Sequence, residues 1–243
     1  MRRGAFSKGS NHAKVLAMTD IPAPDDIVDP AAVPAVRAAE LAAYLAARMC
    51  HDFISPASAI VSGLDLLEDP TAQDMREEAM SLISASARKL SALLQFSRVA
   101  FGASASAETF DARELEKLAQ GVFLHMRAEL VWNVEAAALN KAGARAILNL
   151  AQMAGAALPT GGVARIRAVQ EAGSLAIAAD ASGPRARLRP EVMRGLQGQP
   201  LGEGLHGHWV QAYYVHLFLE DAGGRVFAEV SEERVVFAAT IPA

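Results

Sequence analysis

Aromatic side chains make up only 6% of the 243 residues, and cysteine occurs once, at Cys50. So few large rings beside abundant alanine favour closely packed helices over a thick sheet sandwich. A lone cysteine excludes an internal disulfide and agrees with a reducing compartment. Long apolar runs are missing as well, since nothing approaches the roughly 18 residues a membrane span needs. After Met1-Arg2-Arg3, the run Val15-Leu16-Ala17-Met18 is too short for the core of a signal peptide. A basic surplus is also lacking: the net charge is −4 and the sequence pI about 5.9, so no nucleic-acid partner is expected. These absences describe a soluble, cytoplasmic chain with no membrane partner. What is present is 52% hydrophobic residues, enough to build the core of one or two domains.

Residues 1–33 mix Gly, Ser, Asn and Asp with Pro22, Pro24 and Pro30 and show no sustained period, which predicts a flexible tail. From Pro34 to Glu68, Leu45, Met49, Phe53, Ala57, Ile60, Leu64 and Leu67 recur at helical spacing. Asp69-Pro70 ends that helix, because proline disfavours helical geometry in its predecessor. Thr71 is the expected cap of a second helix, with Asp74 in its first turn. That helix carries Met75, Ala79, Leu82, Ile83, Ser86, Leu90, Leu93, Leu94 and Ser97, and fades after Phe101-Gly102. Two long helices with a short connection form an antiparallel hairpin. Ile54, Val61 and Leu66 lie off the main stripe, so the hairpin alone would leave apolar surface in water, and pairing of two chains into a four-helix bundle would cover it.

Gly102-Ala103-Ser104-Ala105-Ser106-Ala107 reads as a linker, dividing a hairpin domain (34–104) from a second domain (105–243). In the latter, helices are predicted at Ala112–Phe123, Lys141–Ala157, Pro190–Leu196 and Gly207–Asp221. A strand is expected at Leu130–Val134. Val163–Val169 and Ser174–Ala179 form one hairpin, and Val226–Val230 and Val235–Ile241 another. The fold class is α+β, with helices on one face of a mostly antiparallel sheet.

The densest chemistry lies in Met49-Cys50-His51-Asp52-Phe53-Ile54-Ser55-Pro56. A mid-helix proline costs about 3 kcal/mol, so some function should justify Pro56. It cannot donate to the Asp52 carbonyl, and its ring crowds that group, which predicts a bend beside His51. At about 100° per residue, His51 points roughly 200° away from Met49 and Phe53 and so off the buried stripe. A lone helical histidine is ordinarily a surface or capping residue. Asp52 changes that reading by placing an acceptor where it can orient the imidazole or select its tautomer.

The run His51-Asp52-Phe53-Ile54-Ser55-Pro56 resembles the H-box of sensor histidine kinases: histidine, acidic residue, apolar residue, any residue, small polar residue, proline. Ser86–Arg98 is similar to the returning helix of the same dimerisation and phosphoacceptor domain. The order of elements in residues 105–243 is similar to that of the kinases' ATP-binding domain. The resemblance implies a helical hairpin forming a dimeric four-helix bundle, followed by a degenerate histidine-kinase ATPase-like α/β sandwich.

Such kinases hold magnesium and ATP with an asparagine-rich helix, an Asp-x-Gly-x-Gly loop and a glycine-rich lid. Leu148-Asn149-Leu150-Ala151-Gln152-Met153 keeps the first asparagine but has Met153 at the second, and a thioether is a poor ligand for hard magnesium. Asp180-Ala181-Ser182-Gly183-Pro184 keeps the aspartate, with Ser182 and Pro184 where the two glycines belong. A phosphoacceptor hairpin joined to an eroded nucleotide site is similar to the ChpT family of alphaproteobacterial histidine phosphotransferases, as are Phe96–Ala103 and Arg185–Pro190. That resemblance implies a homodimer accepting a phosphoryl group from the receiver domain of a hybrid histidine kinase and passing it to receivers of cell-cycle response regulators. ATP binding is not expected, nor a cofactor or metal site of its own; Mg2+ would come with the partner receiver.

On this resemblance His51 is the phosphoacceptor, Asp52 orients its ring, and Ser55, one turn on, touches the transferring group or its water. Ala47 and Ile54 would give a docking receiver an apolar patch. Arg88 and Lys89 would meet its acidic surface, although a solvated charged face is the more ordinary reading of them. Gly202-Glu203-Gly204-Leu205-His206-Gly207 fits a dinucleotide fingerprint literally, but the required buried strand does not precede it; a lid remnant or a capped loop accounts for it better. Cys50 projects about 100° from His51, so the pair cannot close on one metal. His206, His208 and His216 lack a cysteine or firm carboxylate partner for zinc, and Trp132 and Trp209 read as core. An ATP-dependent histidine kinase with a divergent site and a non-catalytic adaptor for receiver domains remain as rivals.

Overall fold

The computed structural model describes residues 38–102, 108–171, 173–199 and 208–242. The tail, the middle of the linker and the glycine-rich run 202–207 therefore lie outside the described residues. Helix α1 (Ala38–Glu68) runs unbroken through Pro56, so the missing proline donor does not interrupt it. After a 3-10 turn (Gln73–Met75), α2 (Arg76–Ala100) returns alongside. Gly63 lets the two helices cross closely: a Cβ there would fall 2.6 Å from Ile83 and 3.2 Å from the Ala79 carbonyl. Thr71 does not cap α2. Its amide and hydroxyl both donate, each at 2.7 Å, to the Asp69 carboxylate, which spends the threonine on the turn, and α2 begins without a side-chain cap.

Beyond the linker come β1 (Thr109–Asp111), α3 (Ala112–Phe123), β2 (Ala128–Val134), β3 (Ala138–Asn140) and α4 (Lys141–Ala156). The starts of α3 and α4 have ordinary polar caps: the Asp111 carboxylate accepts from the Arg113 amide at 2.7 Å, and Asn140 accepts from the Gly143 amide at 2.8 Å. The chain continues through β4 (Gly162–Glu171), β5 (Ser174–Ser182), α5 (Pro190–Leu196), α6 (His208–Asp221), β6 (Arg225–Ser231) and β7 (Arg234–Pro242). The five-stranded sheet has the order β2-β4-β5-β7-β6. Three of its pairings are antiparallel, while β2 runs parallel to β4 with α4 as the crossover. The expected strand at 130–134 is thus two residues longer, and the short β1–β3 ladder adds a second sheet.

Alternation along β5 and β7 sends Leu175, Ile177, Ala179, Ala181, Val235, Phe237, Ala239 and Ile241 inward against the helices. The end of the hairpin enters this same core. Phe96, Val99 and Ala100 of α2 are buried with Leu115, Ala119 and Val122 of α3 and Ile147 and Ala151 of α4. Removing a Phe or Val side chain from water contributes about 1.5–3 kcal/mol, so α2 is fastened to the sheet domain by its last turns. At the other end, Leu41, Tyr44 and Leu45 of α1 pack on Trp209, Val210 and Tyr213 of α6, where the Trp209 and Tyr213 rings stack 4.9 Å apart. Gly102 ends α2 at φ +82°, with the Arg145 guanidinium in the space a Cβ would need.

Candidate functional site

Ala47, His51, Ile54, Ser55 and Ser58 recur at helical spacing, and all are exposed. They form the open face of α1. The His51 side chain is 85% exposed, and its Nδ1 lies 3.4 Å from Oδ1 of Asp52. The other Asp52 oxygen, Oδ2, accepts from Nε of Arg48 at 2.8 Å. Burial is graded across this row, from Arg48 at 12% exposure through Asp52 at 30% to the open imidazole. The arrangement can present a ring whose Nδ1 faces a carboxylate while Nε2 is left toward solvent.

Ser55 is exposed one helical turn beyond His51. Ile54 is 62% exposed and Ala47 is also open, so the patch read from the sequence exists on the surface. The crossing at Gly63 and Ile83 sets Arg88 about level with residue 58, roughly 10 Å along the hairpin from His51 at 1.5 Å per residue. Arg88 is exposed and Lys89 half-buried. The site therefore brings together His51, Asp52 and Ser55, with the two α2 cations further along.

The positions matching the kinase nucleotide motifs are occupied by the chain's own side chains. Asn149 is fully buried; its amide donates to the carbonyls of Ala100 at 2.8 Å and Arg145 at 2.9 Å, and its oxygen accepts from Gln211 at 3.0 Å. Gln211 also donates to Gln152 at 2.7 Å. Met153 is 6% exposed, within the core. The Asp180 carboxylate forms a fork with Arg234, at 3.0 Å to Nε and 2.7 Å to Nη2, and accepts from Ser182 at 2.8 Å. Partial burial pushes its pKa up, but hydrogen bonds from Arg234 and Ser182 and the charges of Arg234 and Arg165 outweigh that and hold it below the usual value. Beyond it, Gly183 lies against the start of β4, where a Cβ would meet the Gly161 carbonyl at 2.7 Å and the Gly162 Cα at 2.8 Å. These residues do not fit magnesium and ATP: the asparagine oxygen is buried and already accepts from Gln211, and the aspartate is paired with an arginine.

An open hollow of about 560 Å3 lies at the β2–β4 margin, lined by Trp132, Asn133, Val134, Glu135, Arg167 and Val169, and none of these belongs to the nucleotide motifs. His216, weighed for zinc, instead pairs with the Leu196 carbonyl at 3.1 Å and lies 3.6 Å from Glu220. Among the described residues no group of three potential ligands converges on a metal-sized site. His206 lies outside them. Trp209 is fully buried and Cys50 is exposed. No helix among the described residues is long and apolar enough to cross a membrane.

Sequence reasoning passed over Arg48 and Gln211. The first had a local signal, since an arginine four residues before an aspartate spans one helical turn. The second had none, because its partners lie some 60 residues away.

The sequence profile of the histidine phosphotransferase C-terminal domain matches residues 112–234. Protein phosphotransferase ChpT of Brucella abortus (strain 2308) is 35% identical over 203 residues, covering 83% of this chain and 96% of that protein. A solved structure described as a bacterial phosphotransferase superposes with a TM-score of 0.76 at 33% identity, covering 85% of this chain and 98% of the other.

Proposed function

The chain belongs to the histidine phosphotransferase family, and from that premise we propose that it is a phosphorelay intermediate in which His51 receives a phosphoryl group from one receiver domain and yields it to another. The observation that carries this reading is the open imidazole of His51 on an unbroken helix, with a carboxylate at Nδ1.

A docked receiver of a hybrid histidine kinase presents its aspartyl phosphate to α1. Nε2 of neutral His51, using its lone pair, bonds to phosphorus as the phosphorus–oxygen bond to the aspartate breaks, and the receiver regains its carboxylate. The ring, now phosphorylated at Nε2 and still protonated at Nδ1, is cationic, and the Asp52 carboxylate stabilises that charge. Transfer to the aspartate of a response-regulator receiver is the same step reversed. Ser55 lies where its hydroxyl can reach the transferring group, and Ala47 and Ile54 supply apolar contact beside it. Arg88 and Lys89 complement an acidic receiver surface. Magnesium is brought by the receiver, whose carboxylates suit that hard ion.

The working form is a homodimer in a four-helix bundle. Val61, Leu64, Met80, Leu82 and Leu94 expose between 39% and 56% of their surface on the hairpin, and a second copy is the partner that covers such a face with matching helices. With its own side chains filling the nucleotide positions, the chain acquires phosphate from another protein, and the cytoplasm is where such partners reside.

The test supplies the purified chain with a receiver domain labelled by radioactive acetyl phosphate. Wild type should take up label and His51→Ala should not, while incubation with labelled ATP and magnesium should leave both unlabelled. Self-labelling from ATP at His51 would make the chain a kinase. Binding of the receiver without uptake would make it an adaptor.

A further inference from the structure

Arg48 and Asp52 form an ion pair at 2.8 Å beside the exposed histidine, and its geometry divides the carboxylate's two oxygens between two tasks. Oδ2 accepts from Nε of Arg48 at 2.8 Å, whereas Oδ1 faces Nδ1 of His51 at 3.4 Å. We propose that Arg48 is a positioning residue for phosphotransfer: it holds the Asp52 carboxylate so that Oδ1 fixes the Nδ1–H tautomer of His51 and leaves Nε2 free to attack. This inference rests on the phosphotransferase reading above and adds to it a residue that never touches the phosphoryl group.

The physical case begins with helix geometry. Neighbours at i and i+1 do not face one another on a helix, so an aspartate directly after a histidine has no inherent reason to meet its ring. A short acidic side chain at that position would ordinarily turn toward water. Asp52 instead leans to one side, and the guanidinium that draws it there is fixed one turn earlier at position i−4. Arg48 is suited to the task because its side chain is only 12% exposed; most of the rotameric freedom of a long side chain is already spent by packing. The exposed ring thus depends on a partly buried carboxylate, which depends in turn on a largely buried cation.

Charge supplies a second argument. An isolated carboxylate beside His51 would repel the dianionic phosphoryl group that must approach Nε2. Pairing with Arg48 makes the group close to neutral at the distance of the incoming phosphate, while Oδ1 remains near enough to Nδ1 to stabilise the cationic ring after transfer. Lysine could supply the same charge, though without the fixed direction of the guanidinium N–H.

The test is a double-mutant cycle on the full chain, following the first-order uptake of label from a receiver domain phosphorylated with acetyl phosphate. Arg48→Met keeps the volume of the packed stem and should slow uptake about tenfold, within the range for a misoriented catalytic group. Arg48→Lys should recover the rate to within about threefold of wild type, since the charge returns at the same spacing. In an Asp52→Ala background, Arg48→Met should cost less than about twofold, because a residue acting through Asp52 has nothing left to act on. Ring-nitrogen NMR of His51 gives a readout that mere packing would not move: the Nδ1–H form should dominate in wild type and Arg48→Lys and become a mixture in Arg48→Met. Uptake by Arg48→Met at the wild-type rate, or losses that add in the double variant, would overturn the proposal. Should Arg48→Met unfold, Arg48→Gln carries the same cycle. Failure of wild type itself to take up label, or uptake by His51→Ala, refutes the phosphotransferase reading instead, so the two failures are distinguishable.

Discussion

Replacing Asn149 with alanine tests how the chain fills its nucleotide-like position. The substitution removes three hydrogen bonds, to Ala100, Arg145 and Gln211. The Arg145 carbonyl keeps its partner within α4, because position 149 still offers a backbone amide. The Ala100 carbonyl, at the last turn of α2, and one N–H of Gln211 are left unsatisfied in a site where Asn149 is wholly buried. Each orphaned group costs about 1–3 kcal/mol, against which alanine returns about 0.6 kcal/mol of helix propensity. The net expectation is a loss of about 3 kcal/mol, which at about 2–4 °C per kcal/mol for a chain of this size lowers Tm by roughly 6–12 °C. Urea unfolding followed by the fluorescence of buried Trp209 measures it. Asn149→Asp should be worse than alanine, since it turns a carboxylate oxygen toward two carbonyls in the core. Magnesium-ATP should leave wild-type stability unchanged, whereas a nucleotide at a hundred times its Kd would add about 2.7 kcal/mol. A loss below about 1 kcal/mol, or an aspartate variant matched to wild type and stabilised by magnesium-ATP, would refute the reasoning.

Other perturbations follow from the same geometry. Gly102→Ala forces a side chain into φ +82° and into the Arg145 guanidinium, and should cost about 1–3 kcal/mol in thermal unfolding. Arg234→Met removes the main one of the groups that hold the Asp180 pKa low, leaving Ser182 and Arg165. Because the folded value lies below the unfolded 3.8, the pair's contribution is present above pH 3.8 and lost as pH falls through the folded value. Urea titrations should show wild type ahead by about 1 kcal/mol or less at neutral pH and level with the variant in strong acid; a gap that widens in acid would contradict this. Val61→Asp, on a half-exposed apolar site of α1, should shift the proposed dimer to monomers in sedimentation without loss of helical signal, and an unchanged dimer would place the interface elsewhere.

Local periodicity carried most of this fold into view. The helix ending at Asp69-Pro70, the fading of α2 at Gly102 and the alternation in β5 and β7 all follow from rules acting over a few residues, and the structure places them within a residue or two. The parallel setting of β2 escaped because a strand's direction depends on where its partner arrives, and that partner, β4, lies beyond a whole helix. Thr71 misled for a related reason: it has the right chemistry for a cap, but Asp69 sits closer and claims its donors. At the candidate site, the exposure of His51 was legible from the helical phase, whereas its reading as a phosphoacceptor came from Asp52, Pro56 and the resemblance they carry. Arg48 was legible from spacing but hidden by attention to the residues after the histidine. That Asn149 and Asp180 would be satisfied by Gln211 and Arg234 was beyond reach, because those pairings span 62 and 54 residues.

Those two pairings have a consequence for thermodynamics. On the proposed reading, a chain that has folded its own glutamine and arginine into the places of a nucleotide carries no fuel, so it cannot impose a direction on the phosphate it handles. Each hand-off is then as reversible as the difference between two aspartyl phosphates and one phosphohistidine allows. Net flow is set by whichever receiver is kept loaded and whichever is kept empty, and the same molecules would drain a regulator as readily as charge it once the supply upstream is reversed.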